Sequence, residues 1–206
     1  MKIDETGKLI IKAPYFVNKK TINDFVDKNA SWVEERKNNL LKRLKNYKEG
    51  EKFYFFGDEY ELKFDDVNEN IYFDGRNFHL HKKNKKIVKE KLIIFYKLEA
   101  RKYIEKKVLE IAEKNKLKFD TLKITSAKTR WGSCTSKQNV NFTFRLIQAP
   151  IKTIDYVIIH ELAHLKEMNH SKKFWDLVDT MSKKLYPGDY KIHKKWLNDN
   201  GDKLMY

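Results

Sequence analysis

One cysteine, three prolines and seven glycines stand in 206 residues. A single thiol, Cys134, excludes an internal disulfide framework and fits a reducing compartment. No spacer rich in Pro or Gly marks a linker, and no internal repeat appears. No apolar run approaches the roughly 18 residues of a membrane span, and the opening residues Met1-Lys2-Ile3-Asp4 carry no apolar leader segment. The expectation is a cytoplasmic protein with no membrane partner. Acidic residues are also short, 29 Asp and Glu against 44 Lys and Arg, for a formal net charge of +15. Such a balance attracts nucleic acid, nucleotides or anionic surfaces. The lysines, however, are spread from end to end without a long block, as on a solvated face.

At this length the chain can bury one good core, or a catalytic domain with a smaller appendage. Lys8 to Val17 suggests an early strand ended by Pro14. Lys20 to Tyr47 reads as one long helix, with a stripe through Ile22, Phe25, Val26, Trp32, Val33, Leu40, Leu41 and Leu44. Residues 53–80 alternate aromatic and polar side chains, with turn signals at Gly57-Asp58, Asn68 to Asn70 and Asp74-Gly75. Antiparallel strands fit at 52–56, 60–64 and 71–73, with 78–81 continuing. Ile87 to Lys116 is a second long helix. Strands follow at 122–126 and 140–146, with 128–139 between them as a loop. Pro150 suits the first turn of a further helix. Helices at 172–185 and about 190–200 flank Pro187-Gly188. The class is α+β, with small antiparallel sheets and long helices. A boundary near residue 85 would give an α/β region with hairpins (1–85) and a catalytic region (86–206), or the two are continuous.

Six histidines are present, and three fall within eleven residues: His160-Glu161-Leu162-Ala163-His164, then His170. Four residues apart on a helix, His160 and His164 leave the same face and make a ready pair of metal ligands. His170 is far enough on for the chain to turn and supply a third nitrogen. A fourth position stays open, as a catalytic zinc requires. Glu161, beside the first ligand, can reach a water there without being a ligand and take its proton. Three neutral imidazoles favour one Zn²⁺, though manganese, nickel and cobalt also suit such a set. Ile154 to Ile159 is apolar enough to bury one face of this helix. Asn169 sits where the chain must fold back and tolerates a left-handed stop. Ser171 is a ready N-cap for the next helix.

The remaining polar residues divide between site and scaffold. Arg130 suits either an oxyanion or anionic substrate or an ion pair within its loop. Arg145 is a second substrate-binding candidate, although a structural pairing with Asp155 is favoured. Asp155 could also orient a ligand histidine. Cys134 is expected to be a small buried residue rather than a nucleophile or ligand. Trp131, Phe174 and Trp175 are expected to pack around the site, and Trp196 in the core. His79 and His81, alternating on one strand face, read as exposed rather than as a second metal site, and His193 reads as a surface residue.

Arg130-Trp131-Gly132-Ser133-Cys134, Arg145-Leu146, Ala149-Pro150, Asp155 to His164, Asn169-His170-Ser171 and Phe174-Trp175 together resemble the YgjP-like metallopeptidase family. The likeness is detailed over about residues 90 to 200. It implies a gluzincin-like branch related to SprT-type and WLM proteases, with a zincin-like metal helix beneath a sheet. It also implies a zinc-dependent hydrolase with His160, His164 and His170 as ligands and Glu161 as base. The histidine spacing matches the metzincin pattern as well, but Glu167 stands where that family has Gly, and no Met-turn follows. Three functions stay in view: a peptidase acting on peptide or protein, a hydrolase of a small anion such as a nucleoside triphosphate, and a SprT-like protease associated with nucleic acid. Lys191, Lys194 and Lys195 would suit phosphates.

Overall fold

The structure is a computed structural model that describes residues 1–4, 6–43, 45–67 and 69–204. Leu44 and Asn68, placed above in a helix and a turn, lie outside the described residues. The chain divides into two compact units, Met1–Asn46 and Tyr47–Met205. Residue 85, the boundary suggested by the sequence, lies inside the second unit.

In the first unit, strands β1 (Lys2–Ile3) and β2 (Leu9–Ile10) pair antiparallel. The Asp4 carboxylate accepts from the backbone N–H groups of Thr6 and Lys8 and so ties their turn. The expected single helix is two, α1 (Lys19–Lys28) and α2 (Ala30–Arg43). Asn29 makes the break. Its side-chain amide donates to the Phe25 carbonyl at 2.7 Å, the acceptor its own N–H would use in a continuous helix, and that N–H turns to Val26 instead.

In the second unit the long helix α3 (Val88–Lys114) is the spine. Leu92, Tyr96, Ala100, Ile104, Val108 and Ile111 form one buried stripe, while Leu98 and Leu109 face solvent. Strands β3 (Lys52–Phe55), β4 (Asp58–Asp65), β5 (Tyr72–Phe73) and β6 (Asn77–His81) form a sheet in the order β3-β4-β6-β5. Its aromatic face meets α3, with Phe55 and Phe78 each edge-on to Phe95. A second sheet contains β7 (Thr121–Thr125), β8 (Gly132–Cys134) and β9 (Asn139–Thr143) in the order β7-β9-β8.

Both sheets are mixed rather than antiparallel throughout, since β4 runs parallel to β6 and β7 to β9. In each case the intervening strand lies outside the parallel pair. The expected loop 128–139 therefore contains an edge strand, β8, too short to show alternation. The strand expected to reach residue 146 stops at Thr143 and tightens into a 3₁₀ turn, Phe144–Gln148.

Helix α4 (Ile151–Ala163) follows and is buried nearly all round, against α3, β8, α5 (Lys172–Lys183) and α6 (Lys191–Asn200). One of its two buried acids, Asp155, accepts hydrogen bonds from Tyr103 of α3 at 2.9 Å and from Tyr186 after α5 at 2.5 Å. Burial raises the Asp155 pKa, and the two phenols oppose the rise. The expected Arg145–Asp155 pairing and the expected support of a histidine by Asp155 are both replaced by this clamp. Position explains it: five residues before His160, Asp155 points to a different side of the helix. Among the described residues no helix is long and apolar enough to cross a membrane.

The β3–β4 hairpin fixes the entrance to α4. Phe56 and Gly57 both have positive φ (51° and 97°) and turn the chain tightly. Their N–H groups donate to the carbonyls of Ile147 and Gln148. A Cβ on Gly57 would stand 2.8 Å from Pro150 Cα. Gly57→Ala therefore meets both a left-handed backbone and a clash, and is expected to cost about 2–4 kcal/mol. Gly50→Ala, left-handed at 80° with open space around it, is expected to cost only about 1–2 kcal/mol. Urea denaturation of the two variants checks the difference.

Candidate metal centre

Helix α4 is mostly apolar from Ile154 to Ile159, with Asp155 clamped by phenols, and at its last turn His160, Glu161 and His164 emerge. His164 is the C-cap and keeps helical angles, so the two imidazoles retain the four-residue relation. The chain then leaves through a tight turn in which Leu165 and Lys166 donate to Leu162 and Ala163. The helix thus ends well before Asn169, which is not among the residues with positive φ. The expected left-handed stop at Asn169 is unnecessary, because the turn after His164 already brings the chain back. Ser171 caps α5 as expected, its hydroxyl accepting from the Phe174 N–H.

This return places His170 beside the helical pair. The ligand atoms of His160, His164 and His170 lie within 4.8 Å of one another. The Nε2 atoms of His160 and His170 are 3.1 Å apart. A tetrahedral ion with nitrogen bonds of about 2.0–2.1 Å sets its ligands about 3.3 Å apart, so the cluster has the dimensions of one ion. His164 Nδ1 lies 3.0 Å from the Glu167 carbonyl. Donating its proton there leaves Nε2 free to coordinate. His160 Nδ1 is buried without a partner among the described residues. Burial, then the neighbouring His164 and His170, and last Lys194, push His160 down to about 3. Burial also lowers His164. These imidazoles are held neutral, the form in which they coordinate.

Aromatic rings fix the three histidines. Phe174 stacks on His164 with centroids 4.5 Å apart and meets His160 and His170 edge-on. Trp175 stacks on His170 at 5.6 Å, and Tyr190 on Trp175 at 5.8 Å. The expected packing role of Phe174 and Trp175 is met. Trp131 stands apart from these rings, its indole against Gly201. Trp196 is half-buried against the core.

Glu161 is buried on the neighbouring side of α4. Burial raises its carboxyl to about 7, against the pull of Arg130. The side chain lies on Gly132 of β8, where a Cβ would be 2.5 Å from Glu161 Cγ. Only glycine leaves room there. Sequence inspection quoted Gly132 without finding this role; its one signal is an isolated glycine in a chain that has few.

Arg130 is exposed, its charge facing Glu161, and forms no salt bridge among the described residues. Arg145 is instead buried. Its Nη1 donates to the carbonyls of Ser126 and Ala127, and its guanidinium lies over Phe144. It braces the loop leading toward Arg130. Cys134 is half-buried outside the histidine cluster, and burial, with Glu161 nearby, raises its thiol to about 11. His79 is not exposed as expected. It is 18% accessible, 2.8 Å from Asp74 and 3.4 Å from Asp65, and stacked on Tyr72. His81 caps the next turn by accepting from the Lys83 N–H. His193 is half-buried beside Thr153 rather than on the surface.

A ligand that binds only the folded chain stabilises it by about 2.7 kcal/mol at a hundredfold excess over Kd. Zinc is therefore expected to raise the Tm of the wild type by about 5–10 °C, and to leave His164→Ala unmoved. Differential scanning calorimetry with and without chelator reads both.

No significant match was found among curated proteins or solved structures. Residues 1–200 match the family described as YgjP-like, metallopeptidase domain, and the chain belongs to it.

Proposed function

We propose that the protein is a zinc-dependent peptidase in which His160, His164 and His170 hold one Zn²⁺ and Glu161 is the general base. The observation that carries this is the convergence of three imidazoles beside a buried carboxylate of raised pKa. Bound there, a divalent ion would polarise a carbonyl oxygen and bring the pKa of water close to 7. Glu161 accepts the proton of the attacking water and delivers it to the leaving amine. A carboxyl near 7 suits both halves of that transfer. Gly132 and the rest of β8 press on its side chain and keep it aimed.

Two features favour a peptide over a compact anion. Strand β8 is an edge of its sheet, so the outer N–H and C=O groups of Gly132–Cys134 are available to an extended backbone. Arg130 adds an exposed cation at the Glu161 end, as a point of charge and not a phosphate-binding helix N-terminus. Nucleotide hydrolysis and nucleic-acid association are separate arms of the test. Casein and a peptide library are expected to be cut, with loss of activity on chelation and recovery with zinc. Cleavage of nucleoside triphosphates alone would replace the peptidase reading, and proteolysis that requires DNA would turn it into that of a nucleic-acid-associated protease.

Glu161→Gln is expected to retain one zinc per chain and lose at least a thousandfold in kcat. His160→Ala is expected to lose the metal itself. Gly132→Ala is expected to keep zinc and lose about a hundredfold, because displacing the base by about 1 Å is enough. Metal analysis beside kinetics separates the three outcomes, and full activity in Glu161→Gln would refute its role.

A further inference from the structure

A second cation stands at the histidine end of the centre. Lys194 projects from α6 with its ammonium 4.3 Å from the centroid of the Trp175 ring. Trp175 in turn stacks on His170 and lies 5.7 Å from the His160 ring. The Lys194 charge also reaches His160, where it adds to the burial that keeps that imidazole neutral. A cavity of about 930 Å³ opens beside it, walled by Trp175, Tyr190, Gly188, Asp176 and Asp179.

The charges around this cavity are unequally matched. Asp176 is paired with Lys172 at 2.7 Å and Asp179 with Lys183 at 2.6 Å. Asp189 caps its own turn by accepting from the Lys191 N–H at 2.9 Å. Lys194 has no carboxylate partner among the described residues; its charge rests on an indole ring. A cation held over a ring face is not neutralised by it and keeps N–H donors for an outside acceptor.

We propose that Lys194 is a specificity-determining residue that binds a carboxylate of the substrate beside the scissile bond. The inference rests on the peptidase reading above. The cavity carries Lys183, Lys191 and Lys194 against Asp176, Asp179 and Asp189, a balance with room for a monoanion at Lys194 and no excess of positive charge for a phosphate dianion. Lys also makes a point contact rather than the fork that phosphate groups favour. With Arg130 at the Glu161 end and Lys194 at the histidine end, an extended chain crossing the centre meets a positive charge on either side. The carboxylate can come from an Asp or Glu side chain or from the peptide's own C-terminus.

Alanine-based hexapeptides separate the sources. One set carries Glu or Gln next to the cleavage site with an amidated end; the other carries Gln with a free or an amidated end. The zinc-loaded enzyme is expected to favour a carboxylate peptide over its amide by about two- to fivefold in KM, the worth of a part-exposed ion pair. The set showing the preference identifies the source. Lys194→Met is expected to abolish the ratio, Lys194→Glu to invert it, and Lys194→Arg to restore it. Loss of turnover by the same factor on all peptides, or an unchanged ratio in Lys194→Met, would overturn the assignment. Binding to zinc-loaded Glu161→Gln, measured by calorimetry with and without Lys194→Met, gives the same ratio as Kd without turnover. A Kd preference with no cleavage by the wild type keeps Lys194 and removes the peptidase; cleavage without preference does the reverse.

Discussion

Helix α4 must be core and working surface at once, and the arrangement of the second unit follows from that constraint. An apolar helix is stable only if covered on nearly every side. α3, α5, α6 and β8 supply the cover. Polar side chains can leave such a helix only where the cover ends, at its last turn. His160, Glu161 and His164 occupy that turn, and the chain folds back at once to add His170. The close approach of β8 is the tightest part of the cover. At Gly132 the Glu161 side chain fills the space that a Cβ would need.

The same burial sets the chemistry of the groups it encloses. It holds His160 neutral and raises Glu161, although the ordinary values of these groups differ by only about two pH units. Desolvation acts against whichever form is charged, so one environment pushes an imidazole down and a carboxylate up. The neutral imidazole is the form that coordinates a metal, and a carboxylate whose pKa is raised is a stronger base once ionised. Asp155 lies in the same helix, yet its two phenol donors oppose the rise and mark it as scaffold.

The histidine cluster was legible because its spacing is local. Positions 160 and 164 share a helical face by geometry alone, and Ser171 announces the next helix. Helix α3 was legible through its stripe. The parallel pairings, β8 and the Gly132 contact were not. Each depends on residues distant in sequence, and a three-residue strand is too short to carry a period of two. Asn29 was missed for a different reason: the apolar stripe continues across it, and only the competition of its side chain for the Phe25 carbonyl breaks the helix. Arg145 and Asp155 looked like partners because opposite charges near one another in sequence usually are. The fold instead gives Asp155 two phenol donors, while Arg145 donates to the backbone carbonyls of Ser126 and Ala127.

The third histidine presents a separate problem. His170 lies outside any helix, so no backbone ladder fixes its ring. Rings fix it instead: Tyr156, Tyr190, Trp175 and His170 form a column with centroids 5.6–5.9 Å apart. Its base, Tyr156, belongs to α4, the helix that carries His160 and His164. The column therefore returns to the element that carries the other two histidines. It runs through Tyr190, at the start of α6, and Trp175 of α5, so the C-terminal helices share in setting the third position. Lys194 rests on the same Trp175 ring. The position of this charge and that of the third imidazole are thus coupled through one indole, and anything that shifts α6 reaches both.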